Sequence, residues 1–160
     1  MARIFTIPWT GTITNTGGNA DLWEVLPGDD YPIRVRGVRL GQTSELGDTA
    51  EESLRISIVR MGATITSSNG TAGAPETVGR PDQTPAFTCE TNGATVATTT
   101  GTTDILEEMS WNIRNSPFEI WYPDPDFAPT AIQGEGLFVR LQSTVADDIT
   151  FAGTLWVQEG

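Results

Sequence analysis

Residues 137–158 read LFVRLQSTVADDITFAGTLWVQ, and the apolar residues of this stretch recur at every second position. The positions that share one face are Leu137, Val139, Leu141, Ile149, Phe151, Leu155 and Val157. A period of two is typical of a β-strand that buries one face. Two aspartates lie between the halves, so we expect an antiparallel hairpin that turns at residues 145–148.

A second alternating region lies nearer the start of the chain. Aliphatic residues alternate with arginines over residues 33–40, and the alternation slips by one position at Gly37. A slip of one residue is what a β-bulge produces, and it predicts one outer face for all three arginines. The pattern continues over residues 54–58. Further short strands are expected at residues 5–9, 21–26, 105–113 and 118–121.

These segments add up to about eight to ten short strands in 160 residues, which predicts one all-β domain over residues 1–160. The 17 Gly, 10 Pro and 24 Thr also favour strands and turns over helices. The architecture we expect is an antiparallel two-sheet β-sandwich, jelly-roll-like, and a β-barrel is the alternative. At most one short helix is expected, in the acidic residues 45–52.

The middle of the chain, residues 62–103, has a different composition. Of these 42 residues, 32 are Gly, Ala, Ser, Thr, Asn or Pro. Large apolar residues are too few there for a core of its own. We interpret the segment as a Thr/Gly/Ala-rich excursion that orders against a neighbouring subunit, or contains short edge strands near residues 87–90 and 94–98, or does both.

The charge of the chain excludes several classes of function. Twenty-one acidic residues face nine arginines, giving a formal charge of −12 and an isoelectric point near 4.1. This is the wrong sign for a nucleic-acid-binding surface. Lys and His are absent, so His-dependent triads, His metal sites and lysine Schiff bases are excluded. We expect no catalytic residues, no cofactor and no metal.

Several residues are of types that can bind a metal ion or take part in catalysis. Asp124 and Asp126 could offer oxygen ligands to Ca²⁺, but Asp beside Pro is ordinary turn chemistry. The doublets Glu107-Glu108 and Glu51-Glu52 could supply glycosidase carboxylates, although neighbours on a strand point to opposite faces. Cys89 would need a cation to become a nucleophile, and we expect it to be a buried or half-buried small residue.

The candidate protein-interface residues are Arg34, Arg36, Arg39 and Trp156. The arginines form the one basic face that the pattern predicts in an acidic chain, suited either to its own acidic loops or to an acidic partner. Trp156 falls on the outward phase of its strand. An outward Trp indicates a subunit contact, a ligand platform such as one for carbohydrate, or a residue that a loop covers.

The phrases FEIWYPD (residues 118–124), LFVRL (residues 137–141) and STVADDI (residues 143–149) resemble those of small β-rich structural proteins of tailed bacteriophages. The resemblance is a whole-chain pattern and carries over no functional residues. It implies a virion component, above all a capsid decoration or cement protein, with a tail or fibre component as the alternative. The implied partners are other copies of the chain, as a trimer, and a major capsid protein.

The expected location is the capsid surface, after synthesis in the host cytoplasm. The start MARIFTIP is broken by Thr6 and Pro8 and predicts a strand rather than a signal peptide. No apolar stretch approaches the roughly 20 residues that a membrane-spanning helix needs, so no membrane partner is expected.

Overall fold

A computed structural model describes residues 2–44, 52–79, 83–93, 95–115 and 117–160. The helix expected at 45–52 lies almost entirely outside the described residues. In the described ranges the regular structure is a 3₁₀ turn at Pro125–Phe127 and fourteen strands. The strands are β1 Arg3–Ile13, β2 Ala20–Leu26, β3 Ile33–Gln42, β4 Ser53–Met61, β5 Ile65–Thr66, β6 Thr71–Ala72, β7 Glu76–Thr77, β8 Thr88–Thr91, β9 Thr98–Thr99, β10 Thr103–Asn112, β11 Phe118–Trp121, β12 Thr130–Ala131, β13 Gly136–Leu141 and β14 Ile149–Glu159.

The strands form two antiparallel six-stranded sheets that pack face to face. Sheet I has the order β11-β3-β14-β1-β7, with β12 also paired to β3, and sheet II has the order β10-β4-β13-β2-β8-β6. The pairs β1/β2, β3/β4, β10/β11 and β13/β14 each cross from one sheet to the other, and β1 lies beside β14. This is jelly-roll connectivity, so the predicted all-β sandwich is confirmed.

The prediction of a hairpin that turns at residues 145–148 is wrong. β14 pairs with β1 and β3, whereas β13 pairs with β2 and β4 in the other sheet. The connection between them therefore crosses the sandwich instead of turning within a sheet. The period of two identified both strands correctly, but it carries no information on which strands become neighbours.

The core lies between the two sheets and is rich in aromatic residues. Phe5, Trp23 and Phe151 have no exposed surface, and the Trp23 indole donates a hydrogen bond of 3.0 Å to the carbonyl oxygen of Ile7. Trp9 meets Trp23 edge-on, with ring centroids 5.5 Å apart. Side chains of this kind each contribute roughly 1.5–3 kcal/mol when fully buried, so this layer holds the sheets together.

The predicted bulge at Gly37 is confirmed. Trp156 pairs with Gly37 and Val157 pairs with Val35, so Arg36 is the extra residue of β3. The slip keeps the aliphatic residues on both sides of the bulge in the core. It also keeps the three arginines of β3 on the outer face of sheet I.

Where the structure describes it, at residues 62–79, 83–93 and 95–103, the excursion contains short strands, as one of the two interpretations expected, and packs against its own chain. Its strands β5 and β9 pair with each other, while β6 and β8 extend sheet II and β7 extends sheet I. A small second apolar cluster forms on the outer face of sheet II from Val59, Met61, Ala97 and Phe138, with Leu26 and Ile65 partly buried beside them. Strand β13 is consequently buried on both faces.

Buried polar bonds fix the excursion in this position. Asp21, 1% exposed, pairs with Arg140, and its carboxylate also accepts the Ala97 backbone N–H at 2.6 Å. The Glu24 carboxylate accepts the backbone N–H and the hydroxyl of Ser68, at 2.9 and 2.8 Å. The excursion therefore covers the outer face of sheet II at β2 and β13, whereas β10 at the edge of that sheet remains largely exposed. On sheet I the excursion adds only the two-residue strand β7 at one edge, so most of the outer face of sheet I is open.

Candidate protein-interaction face

The open outer surface of sheet I is called the front face here. Its residues are the outward positions of four adjacent strands, β11, β3, β14 and β1. They include Ile4, Thr6, Pro8, Thr10, Arg34, Arg36, Arg39, Glu119, Trp121, Thr154 and Trp156. All four residues singled out from the sequence thus lie together on one surface.

Two tryptophans form the centre of this face. The rings of Trp121 and Trp156 have centroids 4.5 Å apart and planes inclined by 51°. Trp121 is 45% exposed, and its indole N–H donates to the Glu119 carboxylate. The ring lies flat on β3 at Gly37, where a Cβ atom would come within 2.3 Å of it. A glycine at this position is what allows the tryptophan to cross the strand.

Trp121 was missed by sequence reasoning, although its neighbour Trp156 was found. Strand β11 has only four residues, Phe118–Trp121, which is too short for a reliable period of two. The available sequence signal was the order Phe118-Glu119-Ile120-Trp121, which puts Trp121 in phase with the charged Glu119. The contact of Trp121 with Gly37 depends on the pairing of β11 with β3, and this pairing cannot be read from the sequence.

A cavity of about 310 Å³ opens beside the tryptophan pair, and we call it the tryptophan cavity. It is lined by Ile4, Arg36, Trp121, Tyr122, Pro123 and Trp156. Most of its wall is apolar, and the Arg36 guanidinium supplies the charge. An apolar hollow with one cation at its edge suits an apolar side chain accompanied by a carboxylate.

Arg36 has a structural role that the sequence did not predict. Its Nε donates to the carbonyl oxygen of Tyr122 at 2.9 Å, and one terminal nitrogen donates to that of Pro123 at 2.6 Å. The other terminal nitrogen donates to the side-chain oxygen of Gln158. Arg36 therefore fastens the segment after β11 to the front face, and it is not a freely extended docking side chain.

The other two arginines of the face are less constrained. Arg34 donates to the main-chain oxygen of Gly160 at 3.1 Å. Arg39 is exposed and lies at a shallow hollow of about 370 Å³ that Trp9, Pro117 and Thr154 also line. Among the described residues, the Arg39 side chain has no hydrogen-bond or ion-pair partner, while its backbone pairs with the neighbouring strands.

The front face carries positive charge that its own chain does not neutralise. The ion pairs between described residues are Arg3–Glu159, Arg55–Glu108, Arg60–Asp104 and Arg140–Asp21. Arg34, Arg36 and Arg39 take part in none of them. One carboxylate, Glu119, lies among the outward residues named above, so the face is locally cationic on a chain of charge −12.

Substituting Arg36 and Arg39 one at a time should distinguish an arginine that stabilises the fold from one that only contributes surface charge. Arg36→Ala removes three hydrogen bonds from a charged donor and is expected to lower the free energy of unfolding by about 1–3 kcal/mol. Arg39→Ala is expected to change it by less than about 0.5 kcal/mol. Urea unfolding of both variants measures this, and equal stabilities would contradict the anchoring role of Arg36.

Of the acidic candidates, Asp124, Asp126, Glu107 and Glu108 take part in turn, ion-pair and hydrogen-bond contacts, and Glu51 lies outside the described residues. Asp124 accepts the Asp126 backbone N–H at 3.0 Å, which is the turn chemistry expected of Asp next to Pro. Glu108 pairs with Arg55 and Glu107 accepts the Tyr122 hydroxyl at 3.4 Å. Burial, with help from Glu107, raises the pKa of that hydroxyl. Among the described residues, no three His, Cys, Asp or Glu side chains are grouped to hold a metal ion.

Cys89 is buried in β8, as expected. Desolvation by burial raises the pKa of its thiol from 9.0 to about 11, with a smaller contribution in the same direction from Glu90, against a hydrogen bond from the Gly73 backbone. The reactive thiolate is thus scarce at neutral pH.

Alkylation by iodoacetamide at pH 8 is therefore expected to be at least about 100-fold slower in the folded chain than in urea, since two pKa units reduce the thiolate a hundredfold. Because the folded pKa is raised, the thiol's contribution to stability is complete below about pH 9 and disappears as the pH rises through about 11. Equal alkylation rates with and without urea would show that Cys89 is accessible.

In the part of the chain that the structure describes, no helix has the length and apolar character to span a bilayer.

No family model matches the chain, and no curated protein matches it. One solved structure found is the VP2 protein of infectious bursal disease virus, a mutant in derived T=1 particles, at 11% identity and a TM-score of 0.27. The match covers 99% of this chain and 40% of that one, so this chain spans less than half the length of VP2. The function must therefore be argued from the geometry of the front face.

Proposed function

We propose that this chain is a non-enzymatic structural protein of a virion, acting through protein–protein contacts made by the front face. The observation that carries the proposal is the pairing of Trp121 and Trp156 on an open sheet face. Aromatic residues and Arg are enriched in protein interfaces, and energetic hot spots favour Trp, Tyr and Arg. Jelly rolls serve in viral capsids and in lectins. Because a fold alone does not define a function, the support for this proposal comes from the front face.

The role we propose within the virion is that of a capsid decoration or cement protein, as the sequence resemblance to tailed-phage structural proteins implies. Its partners would be copies of itself, as a trimer, and a major capsid protein on the particle surface. A chain of charge −12 repels its own copies and other acidic proteins at neutral pH. Stable contact therefore needs local complementarity, which the cationic front face offers.

A carbohydrate-binding module is the second candidate, because the partly exposed Trp121 ring could stack against a sugar. The two rings are inclined by 51° rather than coplanar, and a flat stacking platform would need coplanar rings. The cavity wall also has few polar groups, whereas sugar recognition depends on convergent hydrogen-bond partners. These features favour a protein partner.

The two candidates can be distinguished by two binding experiments on the purified chain. Co-sedimentation with shells of the major capsid protein encoded in the same genome should show saturable binding that weakens in 1 M salt, where the Debye length falls to about 3 Å. A glycan array should show no signal that depends on Trp121. Glycan binding without shell binding would replace the proposed function with the second candidate.

A further inference from the structure

A second apolar feature projects from the loop of residues 122–129, which we call the Phe127 loop. Phe127 is 81% exposed, the most exposed of the large apolar residues described. It ends the 3₁₀ turn that Asp124 caps by accepting the Asp126 backbone N–H. Prolines at 123, 125 and 129 restrict the backbone of this loop further. A stiff loop thus holds an aromatic ring out into solvent.

The Phe127 loop and the tryptophan cavity have opposite charge. Asp124 and Asp126 precede Phe127 in the loop, and neither forms an ion pair with any described residue. At the cavity, the Arg36 guanidinium donates to the uncharged oxygens of Tyr122, Gln158 and Pro123, and none of these partners is a carboxylate. Glu119, the nearby carboxylate, is already bonded by the Trp121 indole.

The tryptophan cavity is also large enough to take a phenyl ring. The tryptophan cavity measures about 310 Å³, whereas an apolar cavity of about 150 Å³ suffices to bind benzene. Phe127 does not fill this cavity in its own chain. It lies instead at a hollow by the edge of sheet II that Arg60 and Leu106 also line. The two complementary features of one molecule are thus left unpaired.

We propose that Phe127 of one copy inserts into the tryptophan cavity of a second copy, with Asp124 and Asp126 facing the arginines of its front face. This inference rests on the proposed function, because it assigns a partner to the same face. Tyr122 and Pro123 belong to the Phe127 loop and also line the tryptophan cavity, so the two features adjoin. In the contact that we propose, the loop of each copy enters the cavity of the next copy, which is a head-to-tail arrangement. Such contacts close into rings, for example a trimer, or continue as filaments.

The first test measures the mass of the chain by light scattering over a range of concentrations. Phe127→Ala and Ile4→Glu, which places a carboxylate at the cavity, should each raise the dissociation constant of self-association by at least about 30-fold. Ile132→Ala is the matched control, since Ile132 is 58% exposed but lies outside the Phe127 loop. It should associate like the unmodified chain, and circular dichroism checks that every variant folds.

The second test determines the direction of the contact with a short thiol-specific cross-linker in a Cys89→Ser background. A mixture of Asp126→Cys and Ile4→Cys chains should cross-link to each other, and neither should cross-link to itself. Ile132→Cys replaces Asp126→Cys as the control and should give no product. Self-linking of Ile4→Cys would show a symmetric contact between front faces and overturn the proposal. A chain that stays monomeric but binds shells would overturn it too, while leaving the proposed function intact.

Discussion

Asp21→Ala is expected to lower the free energy of unfolding by about 3–5 kcal/mol, because removing one partner leaves a buried charge uncompensated. The Asp21 carboxylate accepts two bonds from the Arg140 guanidinium and one from the Ala97 backbone. All three groups are buried. The melting temperature should fall by roughly 6–20 °C, at about 2–4 °C per kcal/mol for a chain of this size.

The matched control is Asp104→Ala, which breaks the more exposed ion pair with Arg60. Such a pair contributes at most about 1 kcal/mol. Hydrogen exchange should in addition become faster at the Ala97 amide in Asp21→Ala, since that amide loses its acceptor. The double variant Asp21→Ala, Arg140→Met should recover much of the lost stability, because no buried charge remains. Equal destabilisation by the two single variants would contradict the buried role of the Asp21–Arg140 pair.

Trp156→Ala is expected to weaken binding to the protein partner by about 30-fold or more. Truncating an interface hot spot costs at least about 2 kcal/mol, and Trp is the residue type most typical of such positions. The free energy of unfolding should change far less, because Trp156 is partly exposed on the front face and lies outside the core between the sheets. Shell co-sedimentation or light scattering gives the affinity, and urea unfolding gives the stability.

Thr154→Ala is the control for this variant, since Thr154 faces outward on the same strand but does not line the tryptophan cavity. It should bind nearly as tightly as the unmodified chain. If Trp156→Ala and Thr154→Ala bind equally well, the contact does not depend on the tryptophan pair.

Much of the fold could be predicted because its main strands repeat apolar residues with a period of two. This period located the strands, and its slip at Gly37 located the bulge in β3. It also gave the correct outward phase for Trp156. Each of these inferences depends on neighbours along the chain, which a sequence displays directly.

The features that were missed depend on contacts between distant parts of the chain. The crossing between β13 and β14 follows from which strands pair, and a short loop with two aspartates is compatible with a hairpin as well. Arg140 occupies an outward phase on β13, and only the excursion above it makes it buried. The excursion itself has few large apolar residues. The pattern of apolar residues therefore could not predict that it is held to sheet II by hydrogen bonds to the Asp21 and Glu24 carboxylates.

The anchoring role of Arg36 was missed for the same reason. On β3 it alternates with apolar residues just as Arg34 and Arg39 do, so the pattern treats the three alike. Its acceptors, the carbonyl oxygens of Tyr122 and Pro123, lie 86 and 87 positions away along the chain. Only the pairing of β11 with β3 brings them together.

Hydroxyl-radical footprinting of assembled particles tests most directly whether the front face is a protein contact surface. Oxidation of Trp121 and Trp156 would be compared between the isolated chain and particles that carry it. The account predicts at least about tenfold protection of both tryptophans in the particle, with Ile105, exposed at the edge of sheet II, as an internal reference that is oxidised alike in both. Equal oxidation of the tryptophans in the two states would contradict the account.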